Sequence, residues 1–284
     1  MVTAPSGRRR LVGRALRRYR ENLGFTLEDT ARILDCDRSK MSRIETAERG
    51  IRGQELRELL AEYGVAEEQQ DVLLLLGDPR GAFVWHCDYA GVLPGAWQDY
   101  LIMETAASKI AGYEAQRVPG LLQTPAYARA LAEVDRSLDD DAARDRAVEA
   151  VLARQQAILG GERRPEVHLV IGEAALHQLV GSEAVMDEQM AVLAKAAADS
   201  GTVTVQVLPF ESGAHAAAGD GSLGVLQFTG APGLGLVHLG GIGGGVCLEG
   251  QADLAAYAEV LDQLRAFALS PVQSALALRG VAGD

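Results

Sequence analysis

Cysteine is scarce and poorly placed for structural work. Cys36, Cys87 and Cys247 are odd in number, far apart and without a C-x-x-C pair, which argues against a disulfide framework or a zinc ribbon and fits a reducing compartment. No uninterrupted apolar run reaches the ~18 residues that cross a bilayer. The opening Met1-Val2-Thr3-Ala4-Pro5-Ser6 leads into arginines and not into an apolar signal core. The expected location is the cytoplasm, with no membrane partner. Metal-ligand spacing is missing too: His86, His168, His177, His215 and His238 are scattered along the chain. No G-x-S-x-G elbow is present. Gly219-Asp220-Gly221-Ser222-Leu223-Gly224 has the G-x-G-x-x-G form, but a strand is expected after it where a dinucleotide site needs a helix. The glycines of 240–245 lack the Lys-Ser/Thr of a phosphate loop and read as a permissive turn between strands. Neither a cofactor nor a metal is signalled, and no catalytic motif marks the chain as an enzyme.

What is present is an ordinary globular composition with an uneven charge. The 284 residues are 48% hydrophobic and 23% charged, with a net charge of −12, enough for one or two domains with cores of their own. Between Arg8 and Arg57 stand 14 basic and 8 acidic residues, a balance of +6, leaving 13 basic and 31 acidic residues, or −18, elsewhere. An arginine-rich head on an acidic body is a pointer to nucleic acid; a solvated charged helix face is the plainer alternative.

Apolar spacing predicts a run of short helices in the head. Leu11, Ala15, Leu16, Tyr19 and Leu23 recur at helical intervals before Gly24. Thr26 with Asp29 resembles a capping box ahead of Leu27, Ala31 and Leu34. Asp37 can cap a third helix whose Met41 and Ile44 point inward. Two more helical stretches, 53–63 and 67–76, complete a module over 8–79. Residues 80–97 read as an irregular connector anchored by Phe83, Trp85, Tyr89 and Trp97. In the body, 97–112, 125–134 and 141–159 have helical periodicity. Strand runs are expected at 167–172, 203–209, 222–228, 234–239 and 246–249, with helices at 174–180, 183–198, 251–268 and from Pro271 onward. The expected fold class is a mainly α N-terminal helix-turn-helix domain plus an α+β C-terminal domain, 80–284, that binds an effector or partner or dimerises.

Three short helices with a tight second connection describe a helix-turn-helix, whose third helix lies in the major groove. With Met41 and Ile44 inward, Arg38, Ser39 and Ser42 share the outer face and are the candidate base contacts; an arginine can bond guanine O6 and N7 together. Lys40, Arg43, Arg49 and Arg52, with Arg14, Arg17 and Arg18 from the first helix, are the candidate phosphate contacts that set position but not sequence. In the body, His215 in its loop is a candidate ligand or partner contact, or else an exposed loop side chain. Arg117, Gln123 and Tyr127 are further pocket candidates, although 116–128 reads equally well as a rigid turn into a helix.

Residues 23–45, with their closing Ser42-Arg43-Ile44-Glu45, resemble the Cro/repressor-type (XRE family) helix-turn-helix, departing from it at Asp35, where the family usually has the turn glycine, and at Thr30, where it usually has leucine. The segments Gln116-Arg117-Val118-Pro119-Gly120-Leu121-Leu122-Gln123-Thr124-Pro125-Ala126-Tyr127-Ala128 and Val203-Thr204-Val205-Gln206-Val207-Leu208-Pro209-Phe210, with Gly213-Ala214-His215 and Leu269-Ser270-Pro271, resemble the C-terminal domain of WhiJ-like, antitoxin-like regulators of actinomycetes. The resemblance implies a transcription regulator that binds double-stranded DNA, often accompanied by a small BldB-like partner protein. A homodimer is expected, because one short recognition helix reads too few bases alone. Two other readings stay open: an antitoxin-like protein that sequesters a small partner and binds DNA for autoregulation, and an enzyme whose body acts on a nucleotide or metabolite.

Overall fold

The computed structural model describes residues 6–77, 88–89, 91–93, 95–161, 164–199, 201–219, 221–229, 233–241 and 245–281. The leader 1–5 and Phe83, Trp85, His86 and Cys87 of the connector lie outside the described residues. The head is helical: α1 (Gly7–Asn22), α2 (Leu27–Ile33), α3 (Arg38–Glu45), α4 (Gly53–Glu62) and α5 (Glu67–Gly77). The body follows as α6 (Gly95–Ala106), β1 (Lys109–Glu114), α7 (Pro125–Val134), α8 (Asp141–Leu159), β2 (Glu166–Gly172), α9 (Ala174–His177), α10 (Glu183–Ala198), β3 (Val203–Leu208), β4 (Ser222–Gln227), β5 (Gly235–Leu239), β6 (Val246–Leu248), α11 (Gln251–Phe267) and α12 (Pro271–Val281).

The six strands form one mixed sheet in the order β3-β2-β1-β4-β5-β6. β1, β2 and β3 run parallel, joined through α7 with α8 and through α9 with α10, while β4, β5 and β6 form an antiparallel meander beside β1. Alternation along each strand sorts the side chains onto two faces. Ile110, Val167, Leu169, Ile171, Val205, Val207, Leu226 and Leu236 meet the helical layer that holds Tyr127, Ile158, Met190, Leu193 and Leu278. Tyr113, Val170, Leu208, Leu223, Val225 and Val237 meet Leu254, Leu261 and Leu264 of α11. The outer strand β3 is not left open: Leu269 N–H donates to the Val207 carbonyl at 2.8 Å, and Val207 N–H donates to Ser274 Oγ at 2.9 Å. An exposed ladder edge is thereby closed off from other strands.

One expectation is corrected. The stretch 97–112 is not a single helix: α6 stops at Ala106, and Lys109–Glu114 is β1, the strand on which parallel and antiparallel halves meet. Gly112 aligns with Gly224, which aligns with His238 and Cys247, so two glycines open the sheet surface beneath α6. Tyr100 uses that space, its hydroxyl 3.5 Å from where a Cβ on Gly224 would stand. The G-x-G-x-x-G run does lead into a strand, β4, and the 240–245 glycines lie between β5 and β6, with 242–244 outside the described residues.

Head and body share one core. Leu11, Leu16, Leu59 and Leu73 of the head belong to the same packed cluster as Leu101, Met103 and the sheet's helical face.

Candidate nucleic-acid interface

Local chemistry builds the helix-turn-helix. Thr26 caps α2, its hydroxyl accepting from Asp29 N–H at 3.2 Å while the Asp29 carboxylate accepts from Thr26 N–H at 2.8 Å. Asp35 takes a left-handed backbone, φ +44°, a conformation that Asp tolerates better than most residues because its short side chain bonds locally. The chain then turns back, with Cys36 N–H on the Ala31 carbonyl at 2.9 Å, and Asp37 caps α3 by accepting from Lys40 N–H at 2.8 Å. Met41 and Ile44 are buried, as their spacing requires. Thr30 is buried as well, its hydroxyl 3.0 Å from the Tyr63 phenol.

The tilt of α3 is fixed from behind. Arg20 donates to both oxygens of Glu45 at 2.6 and 2.9 Å and to the Phe25 carbonyl at 2.9 Å, with Glu45 at 5% exposure. This two-pronged pair joins α1 to the last residue of α3. Gly13 lets α1 approach closely: a Cβ there would sit 2.7 Å from the Glu45 carbonyl oxygen.

Against this frame the sequence candidates divide. Arg38 and Ser39 are exposed and Ser42 is half-buried on the face away from Met41 and Ile44. Arg43 is exposed, with Nε on the Ser39 carbonyl at 3.2 Å. Arg49 and Arg52 are exposed beyond the end of α3, where Ala47 adopts φ +65° and Arg49 N–H returns to the Arg43 carbonyl. The guanidinium groups of Arg38, Arg49 and Arg52 bond to no other side chain among the described residues. Lys40 is instead held by Glu55 at 2.6 Å, which pulls the Glu55 carboxyl below its usual range, and exposed Arg17 pairs with Glu21 at 2.8 Å. Arg14 faces the body: one Nη lies 3.5 Å from Glu249. Arg18 reaches toward Gly233 and Gln251, its Nη1 3.2 Å from a Cβ built on Gly233.

Sequence reasoning overlooked Arg9. It is exposed, leans over Gly50 and lines a shallow hollow with Val12, Arg49 and Gly77. Its signal was its place one turn before Gly13, the residue that brings α1 onto α3.

In the body, the 116–128 candidates hold a turn together. Tyr127 is fully buried, its hydroxyl accepting from Val118 N–H at 3.2 Å, and Gln123 donates to the Val118 carbonyl at 2.8 Å. Arg117 pairs with Glu114 at 3.2 Å. Burial pushes the Glu114 carboxyl above its ordinary range, against the pull of Arg117 and a 3.0 Å bond from Ser222. His215 packs edge-on against Tyr113, Nε2 3.4 Å from the phenol oxygen, and its Nδ1 is buried without a partner. Beyond the ends of β2 and β3, His177 stacks on exposed Phe210. A second polar group was not foreseen: Arg154 clamps the fully buried Glu104 with two 2.7 Å bonds, Tyr100 adds a third at 3.0 Å, and the guanidinium lies over Trp97 and Tyr100. Burial raises Tyr100 well above the usual phenol range, while the charge of Glu104 keeps Arg154 protonated against its own burial.

Among the described residues no cluster of acidic, histidine and cysteine side chains is disposed to hold a metal ion, and no helix is long and apolar enough to cross a membrane. No curated protein and no solved structure matches the chain. Residues 11–73 match the family described as a helix-turn-helix domain, in agreement with the geometry of α1–α5 and with DNA as a partner. Residues 97–280, more than half of the chain, match the family described as a domain of unknown function (DUF5753), and the chain belongs to that family.

Proposed function

We propose that the protein is a sequence-specific DNA-binding transcription regulator that acts as a homodimer in the cytoplasm. The observation that carries it is the outer face of α3. Arg38 and Ser39 stand exposed there, and their helix is locked from behind by Arg20 and Glu45. Arg38 reads guanine, Ser39 and Ser42 add base or phosphate contacts, and Arg9, Arg43, Arg49 and Arg52 grip the backbone. Exposed guanidiniums with no acidic partner are those whose charge a phosphate can take up without first breaking an ion pair.

The acidic body dimerises and senses a small ligand or protein partner; it is a sensor and not an enzyme. Support for a ligand site comes from the carboxyl ends of β1, β2 and β3, where sheets of this kind bind small molecules and beyond which stand two separate ring pairs, Tyr113 with His215 and His177 with Phe210. A second reading, an antitoxin-like body that sequesters a small, BldB-like partner protein with DNA binding for autoregulation, draws on the exposed Val272 and Leu276 of α12 and on Phe267.

The test is selection of bound fragments from random genomic DNA by the full-length protein at two salt concentrations. A shared two-fold-related motif is the expected outcome. Recovery of random fragments at low salt and nothing at high salt would reduce the head to a non-specific cation.

A further inference from the structure

The arginines of α1 are not all turned outward. Arg10 and Arg14, one helical turn apart, both point at Glu249, the residue after β6. Arg10 gives Glu249 two bonds, Nε at 2.9 Å and Nη2 at 2.5 Å, while Arg14 reaches the same carboxylate with one Nη at 3.5 Å. The carboxylate is 6% exposed, yet each arginine remains about two-fifths exposed. Gly7 closes over the pair: a Cβ there would stand 2.8 Å from Glu249 Oε1.

Two guanidiniums thus share one carboxylate, and the sharing is uneven. Arg14 makes the long bond, and its Nε is buried with no acceptor. A planar fork served by a single oxygen is poorly satisfied, and a phosphate offering two oxygens would satisfy it better. Two neighbouring phosphates, one for each guanidinium, would also end the sharing of one negative charge by two positive ones.

Resting on the DNA-binding reading above, we infer that Glu249 is an internal phosphate surrogate: it clasps Arg10 and Arg14 to the body, and the DNA backbone competes with it for them. The clasp ties the grip of the head to the β5–β6 end of the body. There Cys247, two residues before Glu249, aligns with His238, whose ring packs on Tyr100 and Trp97. Whatever shifts that end of the sheet opens or tightens the clasp and so sets how many phosphates the head engages.

Titration of full-length protein onto a random-sequence duplex over a salt series tests this, with Glu249→Gln, Arg10→Gln/Arg14→Gln and the triple variant compared. Glu249→Gln preserves side-chain volume, and a circular dichroism melt establishes that each variant is folded. The expected result is that Glu249→Gln binds roughly tenfold tighter at low salt and that its log–log salt slope steepens by about 0.9 for each arginine released. The arginine substitutions should erase that gain in the triple variant. Equal affinity and slope in wild type and Glu249→Gln overturns the clasp while leaving DNA binding intact. Weaker binding by folded Glu249→Gln also overturns it, because the pair would then be holding the head in its reading posture. Failure of all four proteins to bind any duplex removes the DNA reading and the clasp with it.

Discussion

The hydroxyl of Thr30 and the phenol of Tyr63 meet at 3.0 Å inside the head, and both side chains are buried. The bond links α2 to the residue that ends α4. Removing one partner strands the other, at a cost of about 1–3 kcal/mol, whereas removing both costs much less. Thr30→Val and Tyr63→Phe should therefore each lower stability in urea melts, and the double variant should lose clearly less than their sum. Additive losses would show that the two hydroxyls do not depend on each other.

Arg20→Met should be more damaging. It leaves the Glu45 carboxylate, 5% exposed, without its counter-charge in the core, and breaking such a pair from one side costs about 3–5 kcal/mol. Because the pair also sets the tilt of α3, operator affinity should fall further than non-specific affinity at a temperature where the variant is folded. A variant with wild-type melting and intact operator binding would refute both roles.

Within the interface, Arg38→Ala and Arg49→Ala should fail differently. Loss of a base contact relaxes preference at one position and costs about 1–3 kcal/mol on the operator. Loss of a phosphate contact weakens every sequence alike and lowers the salt slope by about 0.9. Binding assays on operator and random duplex over a salt series separate the two; identical behaviour of both variants would defeat the assignment.

Glu114 supplies a pH signature. Its carboxyl is raised above the ordinary range, mainly by burial, so the folded state binds its proton more tightly than the unfolded state does. Its contribution is stabilising below the unfolded carboxyl range and is lost as pH rises through the raised folded value. Glu114→Gln keeps the acceptor for Ser222 and removes the titration. The variant should melt at or above the wild-type temperature at neutral pH, with a flatter decline in stability on leaving the acid range. An unchanged wild-type slope in the variant would assign that decline to other groups.

The head was legible because its determinants are local. Thr26, Asp29 and Asp37 are caps whose partners lie three residues away, and Met41 and Ile44 declare the inner face of α3. Lys109–Glu114 was not legible as a strand. Alanine, glycine and glutamate are poor strand formers, and this stretch is extended because β2 and β4 pair with it on either side. Gly112 shows the point: a side chain there would press to 3.2 Å from Leu169, so packing sets a residue that local propensity disfavours. Arg14 read as a phosphate contact from charge alone, since its partner is 235 positions away. Periodicity and spacing see within an element, and that ion pair lies between two of them.

The position of Glu249 along the chain has a consequence in time. Translation proceeds at roughly 5–20 residues per second, and domains fold from the N-terminus as they emerge, so the helices of α1–α5 leave the ribosome roughly 10–30 s before the acid that restrains two of their arginines. For that interval Arg10 and Arg14 lack the carboxylate that pairs with them in the finished fold. On the clasp proposed above, those two arginines are open to phosphate while the chain is still tethered to its own messenger, and they are taken up only once β6 and Glu249 have been made.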